Sequence, residues 1–251
     1  MNFLLLILPL LTNAALADTQ RTIFYVWDME TDPAWTMNGE WEYGNPLGLG
    51  GDTFGGPDPT GGATGKNCIG INHAGDYSIE LGGPYDLITG SIDCSNIQGT
   101  QLQFQRWLNI DWQPYVTTYI SVSNDGMTWS EIWSNSQSTE IVDMEWIEYS
   151  YDISKIADGQ QTVFIKWDYC IKMDGLKLAW AYSGWNIDDV VISGVAPCAA
   201  DIDGNGDVGV GDVLSIIEQW GLTNSPADLN NDGIVNVSDL LVVVGNWGPC
   251  N

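Results

Sequence analysis

Near its C-terminus the chain carries two segments in which oxygen-bearing side chains recur at alternate positions. Each segment has such residues at its first, third, fifth and twelfth positions and a glycine at its sixth. The first segment contains Asp201, Asp203, Asn205, Asp207 and Asp212, and the second contains Asp228, Asn230, Asp232, Asn236 and Asp239. A hard cation such as Ca2+ takes about six to eight oxygen ligands, and the glycine lets the chain turn back around it. The spacing predicts two calcium-binding loops.

Each loop is followed at once by an apolar stretch with the spacing of a helix. The two loop–helix units superpose in the sequence with a constant shift, since residues 201 and 228 are 27 positions apart. The matching pairs are Asp212/Asp239, Leu214/Leu241, Trp220/Trp247 and Gly221/Gly248. One loop of this composition could arise by chance, whereas a tandem pair in register strengthens the calcium prediction.

The loop spacing is that of an EF-hand calcium loop, with two differences. The twelfth residue is aspartate rather than glutamate, and the residues from Cys198 to Ala200 leave no room for a helix before the first loop. A duplicated unit of this kind resembles a dockerin, the calcium-dependent docking module of secreted bacterial assemblies. The resemblance covers residues 198–251.

The dockerin resemblance implies a set of ligands, a partner and a disulfide. Two Ca2+ ions would be held by the residues named above, with the carbonyl oxygen of Ile234 added in the second loop. The partner would be a cohesin-like or other surface or scaffold protein. Because the two ends of a dockerin lie together, a disulfide between Cys198 and Cys250 is expected, and it would stabilise the module by roughly 4 kcal/mol.

The residues after the loops depart from the best-known dockerins, which have Ser-Thr at the tenth and eleventh places and basic residues along the helix. Here these places hold Val210-Gly211 and Val237-Ser238, and Ile217-Glu218 and Val244-Gly245 follow. The identity of the partner therefore does not carry over. A purely structural calcium module, or a pair of loops that binds no ion, remains an alternative.

The composition limits the function. The 251-residue chain has a net charge of −26 and only seven Lys and Arg residues, which excludes a basic face for nucleic acid and disfavours acidic membranes. Residues 1–17 are a short apolar run that ends in Ala15-Leu16-Ala17, which predicts a cleaved secretory signal peptide. A retained membrane anchor is the alternative. Secretion permits disulfides, but the pairing of Cys68, Cys94 and Cys170 stays open.

Residues 18–196 consist of short alternating or aromatic-rich runs separated by Gly, Asn, Asp and Pro. The stretch 101–110 alternates polar and apolar residues, which is typical of a half-buried antiparallel strand, and Asn124-Asp125-Gly126 predicts a hairpin turn. Eight to ten such strands predict a β-sandwich of the jelly-roll kind. The glycine-rich stretch 44–66 is predicted to be a long loop.

A second resemblance concerns this larger region. The segments 27–35, 123–129 and 184–190, the last reading Gly-Trp-Asn-Ile-Asp-Asp-Val, are similar to the MAM-like accessory β-sandwich that accompanies secreted metallopeptidases of the immune inhibitor A kind. The resemblance implies fold more than activity. Carboxylates at its edges are candidate ligands of a structural calcium ion: Glu30 and Asp188, with Asp32, Asp52, Asp58 and Asp189 beside them.

Catalysis finds little support in the sequence. The only histidine, His73, is expected in a loop, and no zinc or serine-hydrolase motif is present. The acid-x-acid-x-x-acid spacing of Asp143, Glu145 and Glu148 matches one class of jelly-roll glycosidases, but a solvated strand edge is the favoured interpretation. Thirteen tryptophans offer a different alternative, sugar binding on flat rings, with candidates near polar turns at Trp41, Trp112, Trp129, Trp133 and Trp180.

The sequence thus predicts a secreted, non-enzymatic protein with a β-sandwich at 18–196 and a dockerin-like module at 197–251. The sandwich would present a binding or adhesive surface, and the module would attach it to a partner. The competing hypothesis is a polysaccharide-binding or polysaccharide-degrading component of an extracellular complex. A cleft with two opposed carboxylates on the sandwich would favour the degrading enzyme.

Overall fold

The computed structural model describes residues 21–174 and 177–250, so the expected signal peptide lies outside the described residues. Most elements are strands, numbered here in chain order. The helices within the described residues are α1 (Ser154–Ala157), α2 (Val210–Glu218) and α3 (Val237–Gly245). None of the helices described is both long enough and apolar enough to span a bilayer.

Two antiparallel sheets make up the larger part of the fold. The seven-stranded sheet contains β1 (Thr22–Trp27), β3 (Trp41–Gly44), β4 (Cys68–Ile71), β6 (Gln98–Ile110), β9 (Ile141–Val142), β10 (Ile147–Asp152) and β14 (Gly184–Val195). The five-stranded sheet contains β2 (Thr36–Met37), β5 (Gly82–Ile88), β7 (Val116–Ser123), β8 (Ser130–Ser134) and β11 (Phe164–Ile171). The order in the second sheet is β2-β5-β11-β7-β8. Two short ribbons complete the strands: β12 (Met173–Asp174) with β13 (Lys177–Leu178), and β15 (Asp207–Val208) with β16 (Gly248–Pro249).

Aromatic side chains pack between the two sheets and make them a sandwich. The ring of Phe104 on β6 lies 5.5 Å from that of Trp167 on β11, and Trp133 on β8 lies 5.6 Å from Trp185 on β14. Trp167 and Trp185 are fully buried. Such edge-to-face pairs add specific attraction to the burial of large apolar area. The sandwich predicted from the sequence is confirmed; its jelly-roll connectivity stays a prediction.

Strand β6 shows the predicted alternation, with one charged residue among its inward positions. Leu102, Phe104 and Leu108 are buried on the core side, and Arg106 occupies the same side. The Arg106 guanidinium donates to Asp143 at 2.9 Å and lies 4.0 Å from the centre of the Tyr149 ring. Asp143 also accepts the backbone N–H of Leu108. The favoured interpretation of residue 143 as part of a solvated edge is therefore wrong, because the cation on β6 needs a buried partner.

The predicted turn and loop are both present. Strands β7 and β8 pair across the turn, where Gly126 has a φ of 73° and the Asp125 carboxylate accepts the N–H groups of Thr128 and Met127. These two bonds lower the pKa of Asp125 to about 2. Between β3 and β4, residues 45–67 form no strand, as the glycine content predicts.

The C-terminal part has a hydrophobic cluster of its own, built from the two sequence repeats. Every buried position in one unit has its counterpart 27 residues later in the other: Ala200 and Ala227, Val208 and Val235, and Ile216 and Val243. The cluster shares no residue with the core of the sandwich. The two units therefore bury equivalent faces against each other.

Each loop pairs with the segment that follows the helix of the other unit. Val208 pairs with Gly248 in the β15–β16 ribbon. In the second loop, Val235 accepts the N–H of Gly221 at 2.8 Å and donates to the carbonyl of Leu222 at 3.0 Å. Since residues 221 and 248 also differ by 27, the exchange is reciprocal. It brings the ends of the module together, and the expected disulfide between Cys198 and Cys250 is present, whereas Cys68, Cys94 and Cys170 are free.

The buried pair of Arg106 and Asp143 gives a direct stability prediction. Replacing Asp143 with Ala leaves a cation without its carboxylate inside the sandwich, so we expect the free energy of unfolding to fall by about 3–5 kcal/mol. The matched control is Glu148→Ala, which removes an exposed carboxylate on β10 and should change stability by no more than about 0.5 kcal/mol. Urea titrations of both variants measure the difference. Equal midpoints would contradict the assigned role of Asp143.

Candidate functional site

The twelfth residue of the first calcium loop holds that loop to the start of α2. The side chain of Asp212 is fully buried, and its Oδ1 accepts the backbone N–H groups of Ile202 at 2.6 Å and Asp203 at 3.2 Å. Its Oδ2 accepts the N–H of Gly209, the residue just before the helix, at 2.7 Å. The carboxylate thus fixes both ends of the loop, and it sits in the first turn of α2, where the helix dipole favours negative charge.

The second loop repeats this arrangement contact by contact. Asp239 is also fully buried, and it accepts the N–H groups of Leu229 at 2.8 Å, Asn230 at 3.2 Å and Asn236 at 2.8 Å. Asn236 additionally caps α3, because its side-chain oxygen accepts the N–H of Ser238 at 2.7 Å. Ser, Thr, Asp and Asn are preferred at this position because they satisfy such otherwise unpaired N–H groups.

The first residue of each loop also makes equivalent contacts. Asp201 accepts the N–H groups of Asn205 at 3.0 Å and Gly206 at 2.8 Å. Asp228 accepts those of Asp232 at 3.1 Å and Gly233 at 2.9 Å. The sixth-place glycines have φ angles of 91° and 95°, a left-handed conformation that glycine adopts with little strain. The glycine is therefore required by the backbone turn, as the loop spacing predicted.

Three of the five predicted ligands of the first loop converge. One oxygen from each of Asp201, Asp203 and Asp212 lies within 4.8 Å of the others. Three carboxylate oxygens at this spacing fit a calcium ion, which prefers hard oxygen donors and tolerates flexible geometry. Burial acts to raise the pKa of Asp212, but the N–H groups of Gly209, Asp203 and Ile202 outweigh it and the pKa is lowered. The ligand is therefore ionised at neutral pH.

The other predicted loop ligands lie on the exposed rim. The side-chain oxygen of Asn205 accepts the N–H of Asp207 at 2.9 Å. In the second loop, the Asn230 side chain is bonded to Asp232, and the Ile234 carbonyl accepts the Asn236 amide at 2.9 Å. These bonds occupy oxygens that the loop spacing assigns to an ion, and calcium binding at these residues stays a prediction.

Glu30 and Asp188 lie in the sandwich and hold one end of the glycine-rich loop. The Glu30 carboxylate accepts the N–H groups of Asn67 at 2.8 Å and Lys66 at 2.7 Å, and these bonds lower its pKa. Asp188 accepts those of Ala63 and Thr64. Burial raises the pKa of Asp188 to about 7. A calcium ion at these two residues stays a prediction.

The remaining sandwich carboxylates named from the sequence have separate surroundings. Asp32 accepts the N–H of Ala34, Asp189 accepts the hydroxyl of Thr64, and Asp52 is exposed. Asp58 is buried and accepts the Asn186 amide at 2.7 Å, while its second oxygen has no hydrogen-bond partner among the described residues. Burial raises the pKa of Asp58 to about 7.

A pairing between Cys68 and His73 escaped the sequence analysis. The Cys68 sulfur lies 3.5 Å from Nε2 of His73, and both residues are buried beside Asn186. Burial raises the pKa of the thiol and lowers the pKa of the imidazole, so both groups are neutral. A neutral thiol is a weak nucleophile, and the pair therefore packs rather than reacts. His73 lies in the turn after β4, as expected of a loop residue, and its side chain is buried there.

The five candidate tryptophans differ in exposure. Trp41 is buried, and Trp133 packs on Trp185. Trp112, Trp129 and Trp180 reach the surface, with Trp180 44% exposed and stacked on Phe54 at 4.4 Å. Trp129, in the β7–β8 hairpin, has the Lys166 ammonium 4.9 Å from its ring centre.

The outward face of the five-stranded sheet carries a polar group that the sequence did not single out. Lys166 lies between two aspartates, with Nζ 3.7 Å from Asp86 and 3.5 Å from Asp168. Burial raises the pKa of Asp168 to about 6, although the lysine acts to lower it. Asp86 and Asp168 are register partners on β5 and β11, so they stand side by side rather than opposed.

No family model matches the sequence, and no curated protein matches it. Several solved structures are similar over about two thirds of the chain. The K1 cleaved adhesin domain of Lys-gingipain from Porphyromonas gingivalis W83 is 17% identical, with a TM-score of 0.43, over 68% of this chain and 97% of that domain. The CBM22-1 xylan-binding domain of Xyn10C from Paenibacillus barcinonensis is 10% identical, with a TM-score of 0.40, over 72% and 100%. With TM-scores below 0.5, these likenesses assign neither ligand nor partner to this chain.

The buried carboxylates of the loops lead to a calcium-binding prediction. Replacing Asp212 with Ala removes a ligand and three backbone contacts from the first loop only, so we expect titration calorimetry to count one bound ion instead of two. Asp239→Ala should have the same effect through the second loop, and Asp125→Ala, a turn carboxylate in the sandwich, serves as the matched control. Unchanged stoichiometry in Asp212→Ala would refute the ligand assignment.

The buried Asp58 predicts a pH dependence. Its pKa is raised on folding from 3.8 to about 7, so the folded chain holds this proton more tightly and loses stability as the pH rises from about 4 to about 7. Replacing Asp58 with Asn removes this loss. As the pH rises from about 4 to about 7, we expect the free energy of unfolding of the variant to increase by roughly 2–4 kcal/mol relative to that of the wild type. Urea unfolding in metal-free buffer measures this difference. A constant difference across the range would show that Asp58 is ionised throughout.

Proposed function

We propose that the chain is a secreted, non-catalytic binding protein that attaches to a protein partner through its calcium-dependent, dockerin-like C-terminal module. The support comes from the surface that the repeat leaves in solvent. The same four apolar positions are exposed in both units, each between 50% and 64%: Val210 and Val237, Leu214 and Leu241, Ile217 and Val244, and Trp220 and Trp247. We call these eight residues the docking face.

The docking face has the spacing of a helix surface. Residues 210, 214 and 217 fall at intervals of four and three on α2, which places them on one side. Ile216, which the helix turns inward, is fully buried in the module core. The apolar stripe on the outer side of α2 thus leaves half or more of each of its residues in solvent, although the inner side of the helix already supplies the module core. Large exposed apolar surfaces of this type mark protein interaction sites.

The loops connect calcium to the docking face. Both helices begin at the tenth place of a loop, so the carboxylate that closes each loop lies in the first turn of its helix. Without an ion, the clustered carboxylates of Asp201, Asp203 and Asp212 repel one another. A bound Ca2+ would neutralise that repulsion, and binding energy would then stabilise the folded helix pair. The partner is of the surface or scaffold kind, cohesin-like by resemblance.

The sandwich contributes a binding surface in this proposal. The competing function is a polysaccharide-degrading component, and the observation in its favour is that the carboxylates of Asp86 and Asp168 are neighbours. Their arrangement argues against it, however. The two carboxylates of a glycosidase lie on either side of the bond that is cleaved, whereas these two lie on one face and share one lysine. Release of reducing ends from a polysaccharide by the full chain, lost in Asp168→Asn, would establish the enzyme instead.

The docking face yields a prediction for attachment. Replacing Leu214 and Leu241 with Asp places a charge at equivalent points of both helices, so calcium-dependent retention of the full chain on envelopes of the producing cells should fall by roughly tenfold or more. The two side chains are exposed, so the calcium stoichiometry should stay unchanged. Met127→Asp, on the 83% exposed hairpin residue of the sandwich, is the control. Retention that does not depend on calcium, or that the double substitution leaves unchanged, would contradict the proposal.

A further inference from the structure

Two of the candidate tryptophans, Trp112 and Trp180, lie together at one end of the sandwich. Trp112 follows just after β6 ends at Ile110, and Trp180 comes just before β14 begins at Gly184. Because β6 and β14 are antiparallel neighbours, the end of one strand meets the start of the other. The two indole rings lie 5.7 Å apart with an angle of 88° between their planes. They therefore form an L-shaped aromatic corner.

A buried carboxylate holds the backbone of both tryptophans. Asp111 is 2% exposed, and its Oδ1 and Oδ2 accept the backbone N–H groups of Trp112 and Trp180, each at 2.9 Å. The hydroxyl of the buried Tyr77 donates to the Trp180 carbonyl at 2.8 Å. Two segments that are distant in the sequence are thus tied to one side chain. The corner is in place before a ligand arrives, which reduces the entropy lost on binding.

The glycine-rich loop packs against one face of the Trp180 ring. Phe54 stacks on the indole with the ring centroids 4.4 Å apart and 5° between the planes. The next residue, Gly55, has a φ of 75°, and a Cβ there would lie 2.5 Å from the Tyr182 ring, so the loop needs glycine to approach this closely. Trp180 is nevertheless 44% exposed. Its ring is fixed from one side while a large part of it stays in solvent.

Exposed polar side chains flank the aromatic corner. Thr53, which precedes Phe54 in the loop, is exposed, and so is Glu140. Burial raises the pKa of Asp111 and of Tyr182, and the charge of Glu140 adds to the increase in both. The Glu140 carboxylate is therefore close to the groups that lie beneath the rings, and it is open to solvent.

We propose that this end of the sandwich binds a neutral polysaccharide. We call the surface the aromatic platform; it contains Thr53, Phe54, Trp112, Glu140 and Trp180. The face of a sugar ring is apolar and stacks on an aromatic ring, whereas the hydroxyl groups at its edge need polar partners. The exposed indole supplies the first kind of contact, and the exposed polar side chains supply the second. The platform names the ligand of the sandwich in the proposed function, on which its role rests.

The charge of the chain limits the class of polysaccharide. The net charge is −26, so polymers of uronic acids or sulfated sugars are repelled over a distance. Neutral sugars avoid this repulsion, and their hydroxyl groups donate favourably to an ionised carboxylate such as that of Glu140. A neutral polymer is therefore the ligand that fits both the rings and the charge.

The platform lies at the end of the sandwich away from the start of the C-terminal module. Strand β14 has 12 residues, begins beside the platform and ends at Val195, from which the chain continues to Cys198. At about 3.3 Å per residue, the two ends of the strand are roughly 35–40 Å apart. A polymer on the platform thus leaves the exit to the module open, so the chain can hold a sugar and a protein partner at once.

The test is affinity electrophoresis of the full chain in gels that contain one soluble polysaccharide each. Arabinoxylan, galactan, mannan and β-glucan are the neutral probes, and polygalacturonate is the acidic one. We expect retardation by at least one neutral polymer and none by polygalacturonate. Trp180→Ala should weaken the affinity roughly tenfold or more, because it removes the exposed ring. The matched control is Trp129→Ala, which removes a partly exposed ring in the hairpin at the far end of β7 and should leave the affinity unchanged.

Two further variants guard against a loss of folding in Trp180→Ala. Trp180→Phe keeps a ring that can stack, so most of the affinity should remain. Glu140→Ala removes an exposed acceptor without disturbing the core, and it should weaken binding roughly threefold or more. The double variant of the docking face, with Leu214 and Leu241 replaced by Asp, should bind polysaccharide as the wild type does. Failure of the platform and failure of the docking face are therefore distinguishable.

Three outcomes would overturn the proposal. The first is the absence of retardation in every neutral gel while the protein is folded by circular dichroism. The second is retardation that Trp180→Ala leaves unchanged or that Trp129→Ala abolishes, since either result would place the sugar elsewhere. The third is preferential retardation by polygalacturonate.

Discussion

The carboxylate at the twelfth place of each loop is the constraint on which the C-terminal module depends. Asp212 and Asp239 are fully buried, and each accepts three backbone N–H groups from the beginning and the end of its loop. A buried carboxylate is unfavourable unless its oxygens are satisfied, so loop, helix start and charge are mutually dependent. An ion that neutralised the neighbouring carboxylates would stabilise the same junction between the loop and the start of its helix.

Because the loop–helix unit is repeated, equivalent residues of the two units are exposed together and form one surface. Because the two units exchange β contacts reciprocally, residues at equivalent positions face equivalent surroundings. Ile216 and Val243 face inward together, and Leu214 and Leu241 face outward together. A module that duplicates its buried positions necessarily duplicates its exposed ones, and this is why the docking face carries matched apolar pairs. The disulfide between Cys198 and Cys250 fixes the ends where the exchange meets.

The sequence was sufficient wherever the determining interactions are local. The loop spacing, the sixth-place glycines and the turn at Asn124-Asp125-Gly126 depend on contacts within a few residues, and the structure shows them. The period of β6 was also readable, because alternation is a local property of a strand. The disulfide followed from the dockerin resemblance rather than from spacing.

The sequence was insufficient to predict contacts that depend on how the strands are aligned with one another. The partnership of Arg106 with Asp143 joins β6 to a residue 37 positions away, so an acidic cluster that resembled a solvated edge contains a buried ion pair. The contact between Cys68 and His73 also depends on Asn186, which β14 places beside them. Asp86 and Asp168 become neighbours only once β5 and β11 are aligned. Neither composition nor periodicity contains that alignment.

The most direct test of the account is hydrogen exchange of the full chain with and without calcium, followed by mass spectrometry. The account predicts that calcium slows exchange across residues 201–218 and 228–245, where the N–H groups that Asp212 and Asp239 accept are located. Strands β6 and β14 should exchange equally slowly in both conditions and serve as the internal reference. Exchange in the C-terminal segments that saturating calcium leaves unchanged would contradict the account.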